Sequence, residues 1–113
     1  MITISTHVLD TSLGRPAVGV TVVLERSGGT TQWSVIGHGE TDADGRVQEL
    51  VPDPAKLSSG VYRMVFDTRS YFDTRGVAGF YPSVTVVFDI KDQGHYHVPL
   101  LLSPFGYSTY RGS

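Results

Sequence analysis

Short stretches of alternating apolar and polar residues, separated by turn-forming residues, run along almost the whole of this 113-residue chain. Successive side chains of a β-strand point to opposite faces, so a period of two predicts strands with one buried face. Only the segment from Asp67 to Gly76 has a helical pattern, about two turns long over Ser70 to Arg75. The pattern therefore predicts an all-β protein, an antiparallel β-sandwich of roughly seven or eight short strands.

The predicted strands are bounded by Gly, Pro, Asp and Ser, the residues that favour turns. They cover residues 2–9, 19–26, 31–40, 60–68, 83–90, 95–102 and 106–111, with a further short strand that ends near Leu50. The sequence of residues 91–94 predicts a hairpin turn between its neighbours, and residues 52–59 are predicted to form a loop. Pro99 interrupts the strand 95–102. Because proline cannot donate to a ladder, the residues alone predict that this strand lies at a sheet edge.

Composition narrows the class of protein. Residues 1–113 have the length of a single domain, and with 40% hydrophobic and 18% charged residues the chain is expected to fold. The net charge of −2 argues against a nucleic-acid partner, which requires a basic face. The chain has no cysteine, and neither a leader pattern nor an apolar run of the roughly 18 residues that a membrane span needs. We therefore expect a cytoplasmic protein with no membrane partner.

Three of the four histidines are candidates for one surface. In the first predicted strand His7 lies on the polar face, together with the hydroxyl side chains of Thr3 and Ser5. In the strand 95–102, His95 and His97 share the outer face. If these two strands are neighbours, the three imidazoles meet on one surface, and Arg46 can join them from the tight turn that precedes it.

Three interpretations of this group remain open from the residues alone. Exposed histidines often have no chemical role. A His-x-His pair with a third histidine is typical of a catalytic zinc site, although no carboxylate of the motif would orient the rings. Metal-free hydrolysis is the third interpretation: a neutral imidazole takes a proton from water and an arginine stabilises the resulting anion. Histidine suits this role because its unperturbed pKa is about 6.5.

Other polar and aromatic residues have simpler structural explanations. Three aspartates lie in turns, where side-chain bonds to the backbone account for them: Asp10, Asp42 and Asp44. Three aromatic residues are predicted to belong to the core: Trp33, Phe66 and Phe88. The C-terminal segment is aromatic and apolar almost throughout, with Tyr107, Tyr110 and Arg111 near its end, and we expect it to be docked on the protein.

Five blocks of the chain form a recognisable set: Ser5–Asp10, Gly14–Ala17, Asp44–Arg46, His95–Pro104 and Tyr107–Ser113. Together they resemble the 5-hydroxyisourate hydrolase family, transthyretin-related enzymes of urate breakdown. The final Tyr-Arg-Gly-Ser, residues 110–113, is the signature tetrapeptide of that family. The resemblance spans the whole chain, which it identifies as one transthyretin-like hydrolase domain, 1–113.

The resemblance implies a transthyretin-like sandwich of two four-stranded sheets with one short helix, in which the strand that contains Pro99 is interior. It implies a homotetramer, a dimer of dimers with the active sites at the dimer–dimer interface. The reaction implied is hydrolysis of 5-hydroxyisourate to 2-oxo-4-hydroxy-4-carboxy-5-ureidoimidazoline, with no cofactor and no metal.

The resemblance also implies the site residues. His7, Arg46, His97 and Ser113 are the catalytic candidates, and Tyr110 and Arg111 join His7 and Arg46 in binding the substrate. One or both of His7 and His97 would activate water, Arg46 would stabilise the oxyanion, and His95 would be secondary. The alternative is a transthyretin-like carrier of small ligands or a binding module. In transthyretin itself the positions that match His7, Arg46 and His97 carry other residues, which favours the hydrolase.

Overall fold

The computed structural model describes all residues from 1 to 113. The strands are β1 (Ile2–Ser5), β2 (Val8–Asp10), β3 (Arg15–Pro16), β4 (Thr21–Ser27), β5 (Trp33–Glu40), β6 (Gly60–Phe66), β7 (Val84–Ile90), β8 (Gly94–His97), β9 (Leu100–Ser103) and β10 (Gly106–Thr109). One α-helix, α1 (Thr68–Thr74), follows β6, and a short 3₁₀ helix (Pro54–Lys56) lies in the predicted loop. Neither helix is long and apolar enough to span a membrane.

The strands form two four-stranded sheets and one additional pair. The order is β10-β9-β2-β3 in one sheet and β5-β4-β6-β7 in the other, and β1 pairs with β8. All pairings are antiparallel except β1 with β8 and β2 with β9, which are parallel. A sandwich of two four-stranded sheets with one short helix is therefore confirmed.

The core lies between the sheets and follows the alternation in the sequence. On β6 the side chains of Tyr62, Met64 and Phe66 are fully buried, while the residues between them are more exposed. Phe66 thus belongs to the core as predicted, and Phe88 packs against it from a partly buried position. The prediction for Trp33 is wrong: its ring is only half-buried, and the guanidinium of Arg63 covers it at 4.1 Å from the ring centroid.

Two predicted strands are each divided in two. Residues 2–9 form β1 and β2, and residues 95–102 form β8 and β9, with the breaks opposite each other. The alternation continues across the first break, where Thr6 is buried and donates its hydroxyl to the Val98 carbonyl at 2.7 Å. Because β1 pairs with β8 and β2 with β9, the first and the penultimate predicted strands are neighbours, which is the condition for the three histidines to share one surface.

Pro99 occupies the second break, and the edge placement drawn from the residues is wrong. β9 lies inside its sheet, between β10 and β2, as the family resemblance implies. Since Pro99 falls between β8 and β9, its missing N–H removes no ladder bond. Its carbonyl accepts the hydroxyl of Thr109 at 2.6 Å.

Two local predictions about turns and strands are also wrong. Residues 91–94 do not form a hairpin, because β7 pairs only with β6 while β8 pairs with β1. The segment instead leads the chain from β7 to the separate β1–β8 pair. The predicted short strand that ends near Leu50 is absent: the chain turns there, and Arg46 makes only a single antiparallel bridge with His7.

Candidate active site

His97 lies at the end of β8, between β1 and the C-terminal segment. Its backbone is in register with Ser5, and its carbonyl accepts the N–H of Gly112 at 2.9 Å. A Cβ at Gly112 would lie 2.4 Å from His97 Cδ2, so only glycine permits this close approach. The C-terminal segment therefore packs directly against a half-buried imidazole.

His7 and Arg46 are held together by the tight turn of residues 42–45. Val8 donates its N–H to the Gly45 carbonyl at 2.8 Å, and Gly45 has a φ of +79°, a conformation that glycine adopts readily. His7 Nε2 lies 2.7 Å from the Asp44 carbonyl. A carbonyl can only accept, so Nε2 carries a proton and Nδ1 is the free acceptor of neutral His7.

Asp42 fixes the shape of this turn. Its Oδ1 accepts the N–H groups of Asp44 and Arg46 at 2.9 and 3.0 Å, and its Oδ2 accepts Gln48 Nε2 at 2.6 Å. The hydrogen bonds from Gln48 and the Arg46 backbone hold the pKa of Asp42 below its ordinary value. The structural role predicted for Asp42 is confirmed, whereas Asp44 contributes its carbonyl to His7.

Arg46 supplies an unpaired positive charge. Its side chain is exposed, and its guanidinium makes no ion pair and no hydrogen bond within the chain. A free guanidinium is suited to bind a planar polar molecule or a developing oxyanion through two parallel N–H bonds.

The electrostatic surroundings keep the His97 imidazole neutral. Burial lowers the pKa of His97, and the positive charges of Arg46, His95 and His7 lower it further. A histidine with a pKa below 6.5 is unprotonated at pH 7 and can accept a proton. His97 Nδ1 bonds to Ser5 Oγ at 2.7 Å, which leaves Nε2 as the nitrogen available to a bound molecule.

Three of the predicted C-terminal residues are placed differently from the His7, Arg46 and His97 group. Tyr110 and Arg111 line a neighbouring cavity of about 240 Å³, and the guanidinium of Arg111 lies 4.5 Å from the ring centroid of Tyr96. Ser113 is exposed. Within one chain, the C-terminal residue that contacts His97 is Gly112.

Sequence reasoning missed Ser5 as a member of the site, and it included Gly112 only as one residue of the signature tetrapeptide. The polar face shared by Thr3, Ser5 and His7 carried the signal for Ser5, because parallel register pairs Ser5 with His97. For Gly112 the sequence had no local signal, since its close approach to His97 depends on the tertiary fold. No group of three or more His, Asp or Glu side chains is placed to hold a metal ion.

Fold and site together define a transthyretin-like β-sandwich with two imidazoles and a free guanidinium at the strand ends, a set suited to hydrolysis. The chain belongs to the family described as "HIUase/Transthyretin family", whose model matches residues 4–112.

Individual relatives agree with this membership. The 5-hydroxyisourate hydrolase of Salmonella dublin is 48% identical over 111 residues, with 97% of this chain and 80% of the relative aligned. The structure of Klebsiella pneumoniae 5-hydroxyisourate hydrolase superimposes with a TM-score of 0.86 at 38% identity, over 100% of both chains. Sea bream transthyretin in complex with thyroxine superimposes with a TM-score of 0.90 at 35% identity, over 96% of this chain and 93% of that one.

Proposed function

We propose that this chain is an enzyme of urate degradation that hydrolyses 5-hydroxyisourate to 2-oxo-4-hydroxy-4-carboxy-5-ureidoimidazoline. The observation that carries the proposal is the proximity of His7, Arg46 and His97, which places a neutral imidazole that can accept a proton beside a guanidinium that can bind an anion. The family to which the chain belongs includes hydroxyisourate hydrolases. The reaction opens the six-membered ring of the substrate at an amide-like bond, and it requires no cofactor.

In the proposed mechanism His97 takes a proton from the attacking water. Its lowered pKa keeps the ring neutral, and the bond from Nδ1 to Ser5 directs Nε2 toward the water. His7 binds the substrate through Nδ1, because the Asp44 carbonyl already holds its Nε2 proton. This division assigns different roles to the two histidines.

Arg46 stabilises the negative charge that forms on the carbonyl oxygen as water adds. Removal of one such donor typically slows an acyl-transfer reaction about 100- to 1,000-fold. The turn built on Asp42 holds the Arg46 backbone in position before substrate binds, so little reorganisation is needed during the reaction.

The C-terminal tetrapeptide is proposed to complete the site in a homotetramer, a dimer of dimers with sites at the dimer–dimer interface. Tyr110, Arg111 and Ser113 are exposed in the single chain, and several large apolar side chains are exposed as well, among them Phe105. Assembly would bury such residues, and it would allow Tyr110 and Ser113 to close the substrate pocket.

The loss of 5-hydroxyisourate absorbance after addition of purified protein tests the proposal. Arg46→Ala and His97→Ala are each expected to lower turnover by about 100-fold or more. His38→Ala is the matched control, because His38 is exposed on β5 in the other sheet and its loss should leave the rate unchanged. Near-normal rates in both site variants would refute the assignment.

A transthyretin-like carrier is the second candidate, favoured by the superposition on thyroxine-bound sea bream transthyretin. Calorimetric titration with thyroxine separates the two functions. Hydrolysis without thyroxine binding supports the enzyme, whereas tight binding without turnover would support the carrier.

Metal independence and location are further parts of the proposal. Turnover is expected to persist after dialysis against a chelator, and loss of activity that zinc restores would favour the zinc interpretation. We propose a cytoplasmic location, which a cysteine-free chain is compatible with, and which subcellular fractionation can test.

A further inference from the structure

A continuous row of side-chain hydrogen bonds connects His97 to the surface. Ser5 Oγ lies 2.7 Å from His97 Nδ1 and 3.0 Å from His95 Nε2. Thr3 Oγ1 lies 2.6 Å from His95 Nδ1. The parallel register of β1 with β8 creates this row, because it pairs Thr3 with His95 and Ser5 with His97. His95 is exposed, so the row begins at a half-buried imidazole and ends in solvent.

The single hydroxyl proton of Ser5 couples the protonation patterns of the His95 and His97 rings. Ser5 has one hydroxyl proton and can donate it to only one imidazole, so the other imidazole must donate to Ser5 Oγ. In one arrangement His97 Nδ1–H donates to Ser5, Ser5 donates to His95 Nε2, and His95 Nδ1–H donates to Thr3. In the other, every one of these bonds is reversed. The first leaves His97 Nε2 as a base, and the second leaves it as an acid.

We propose that Ser5 and His95 form a proton relay that connects His97 to solvent and switches His97 from base to acid within one catalytic cycle. The inference rests on the proposed function, since it requires His97 to act on the water. It gives chemical roles to two residues outside the His7, Arg46 and His97 group, Ser5 as the bridge and His95 as the exit.

The outward step accompanies addition of water. An electron pair of the water oxygen forms the C–O bond, the carbonyl π pair moves to oxygen, and one water proton passes to His97 Nε2. The Nδ1 proton of His97 moves to Ser5 while the hydroxyl proton of Ser5 moves to His95 Nε2. His95 then releases its Nδ1 proton to solvent past Thr3, which leaves both imidazoles neutral.

The inward step accompanies cleavage. The C–N bond breaks with its electron pair on nitrogen, the carbonyl re-forms, and His97 Nε2–H protonates the nitrogen. One proton then returns from solvent to His95 Nδ1, while the Nε2 proton of His95 moves to Ser5 and the hydroxyl proton of Ser5 moves to His97 Nδ1, which restores the first arrangement. The remaining water proton leaves when the product carboxylic acid ionises. Each bond and proton is thereby accounted for without an additional reactant.

The surroundings of His97 give the relay its physical advantage. A cationic imidazole there is disfavoured by burial and by the neighbouring charges of Arg46, His95 and His7. Movement of the proton to an exposed ring places the charge in water instead. The rings of His95 and His97 are stacked 6.2 Å apart and nearly parallel, at 13°, so little movement is required for transfer through Ser5.

Substitution of His95 tests the relay, because it removes the exit and retains the bond between Ser5 and His97. His95→Phe keeps a flat ring, and His95→Gln keeps polarity without a titratable nitrogen. Both are expected to lower kcat by about tenfold or more with little change in KM, at the lower end of general acid–base effects. Added imidazole should restore the rate by carrying protons, and His38→Phe should show neither loss nor rescue.

A proton inventory in mixtures of H₂O and D₂O distinguishes transfer from positioning. The wild type is expected to give a curved plot, since several protons move, and His95→Phe a straight one. Ser5→Ala should behave like His95→Phe with a further loss, while Ser5→Thr, which keeps the hydroxyl, restores the curvature. A kcat equal to that of the wild type in both His95 variants would overturn the relay. If His97→Ala is inactive at the same time, the role of His97 as the base still stands. An active His97→Ala would overturn the role of His97 as the base, and with it the relay, whereas a wild type that does not turn over 5-hydroxyisourate would overturn the proposed function itself.

Discussion

At the scale of single residues, the charge state of His97 is set by its neighbours. Burial and the Arg46, His95 and His7 charges lower the pKa of His97. In Arg46→Gln the imidazole keeps its burial but loses a nearby cation, so its pKa should rise toward 6.5. The titration of the ring proton of His97 by NMR measures this shift. Arg46→Lys keeps the charge and should leave the titration close to that of the wild type.

The direction in which kcat/KM depends on pH follows from the lowered pKa of His97. Because the pKa of His97 is lowered, the neutral ring persists below pH 6.5, and kcat/KM should fall only at more acidic pH. An acidic limb above pH 6.5 in the wild type, or an Arg46→Gln titration that moves to lower pH, would contradict the proposed environment of the ring.

Gly112 is expected to be essential to the position of His97. In Gly112→Ala the new Cβ would approach His97 Cδ2 to 2.4 Å, so the ring or the C-terminal segment must move. We expect turnover to fall by about tenfold or more, since small displacements of catalytic groups can have effects of roughly 100-fold, while the melting temperature changes little. Gly106→Ala is the control, because its Cβ meets only Ser103 Oγ at an ordinary 3.7 Å. Equal activity of the two variants would contradict this role.

At the scale of elements, Asp10 joins the helix α1 to β2, the strand that follows His7. Fully buried at the end of β2, its carboxylate accepts Tyr71 Oη at 2.7 Å and Arg75 Nη1 at 3.2 Å. Its other oxygen accepts the backbone of Ser12 and Leu13, as the turn prediction requires. The sequence therefore predicted the hydrogen bonds of Asp10 within its own turn. It did not predict the contact with Tyr71 and Arg75, because these residues lie more than 60 positions away in the sequence.

Removal of this charge should weaken the whole fold. Burial raises the pKa of Asp10, but hydrogen bonds from Ser12 and Tyr71 outweigh it, and the net pKa is lowered. Burial and the same carboxylate raise the pKa of Tyr71 to about 12. Asp10→Asn is expected to reduce the free energy of unfolding in urea by about 1–3 kcal/mol at pH 7. Asp73→Asn, on the exposed face of α1, should have almost no effect.

Urea unfolding of the wild type and Asp10→Asn at acid pH shows whether the lost stability comes from the charge of Asp10. A carboxylate with a lowered folded-state pKa contributes its full stabilisation at pH values above its ordinary pKa of 3.8. It loses this stabilisation as the pH falls through the folded-state pKa. The difference between the wild type and Asp10→Asn should therefore diminish in acid. A difference that does not change with pH would indicate lost packing in place of lost charge.

The strands could be predicted from the sequence because one buried face imposes a period of two, as on β6 with Tyr62, Met64 and Phe66. The face shared by His95 and His97 was predicted for the same reason. Sheet membership could not be predicted, because the turn chemistry of residues 91–94 is local and does not report which strand β8 joins. Trp33 was misassigned because a guanidinium can cover an aromatic ring as effectively as apolar neighbours.

At the scale of the whole molecule, the exposed apolar surface points to assembly. Phe105 is 76% exposed at the turn between β9 and β10, in the sheet that contains β2 next to His7. Val35 is 60% exposed on β5, at the far edge of the other sheet. If the site lies between dimers, the interface must adjoin the first of these sheets, so Phe105 should belong to it and Val35 should not.

Phe105→Glu is therefore expected to disrupt the proposed tetramer and with it the activity. A buried charge without a partner strongly disfavours association, so sedimentation should show a smaller species, and specific activity should fall even though the bonded residues around His97 are unchanged. Val35→Glu carries the same charge on the opposite sheet and should remain a fully active tetramer. Higher protein concentration should recover part of the lost activity, since assembly follows mass action. A fully active monomer or dimer of the Phe105 variant would show that one chain, or one dimer, holds a complete site.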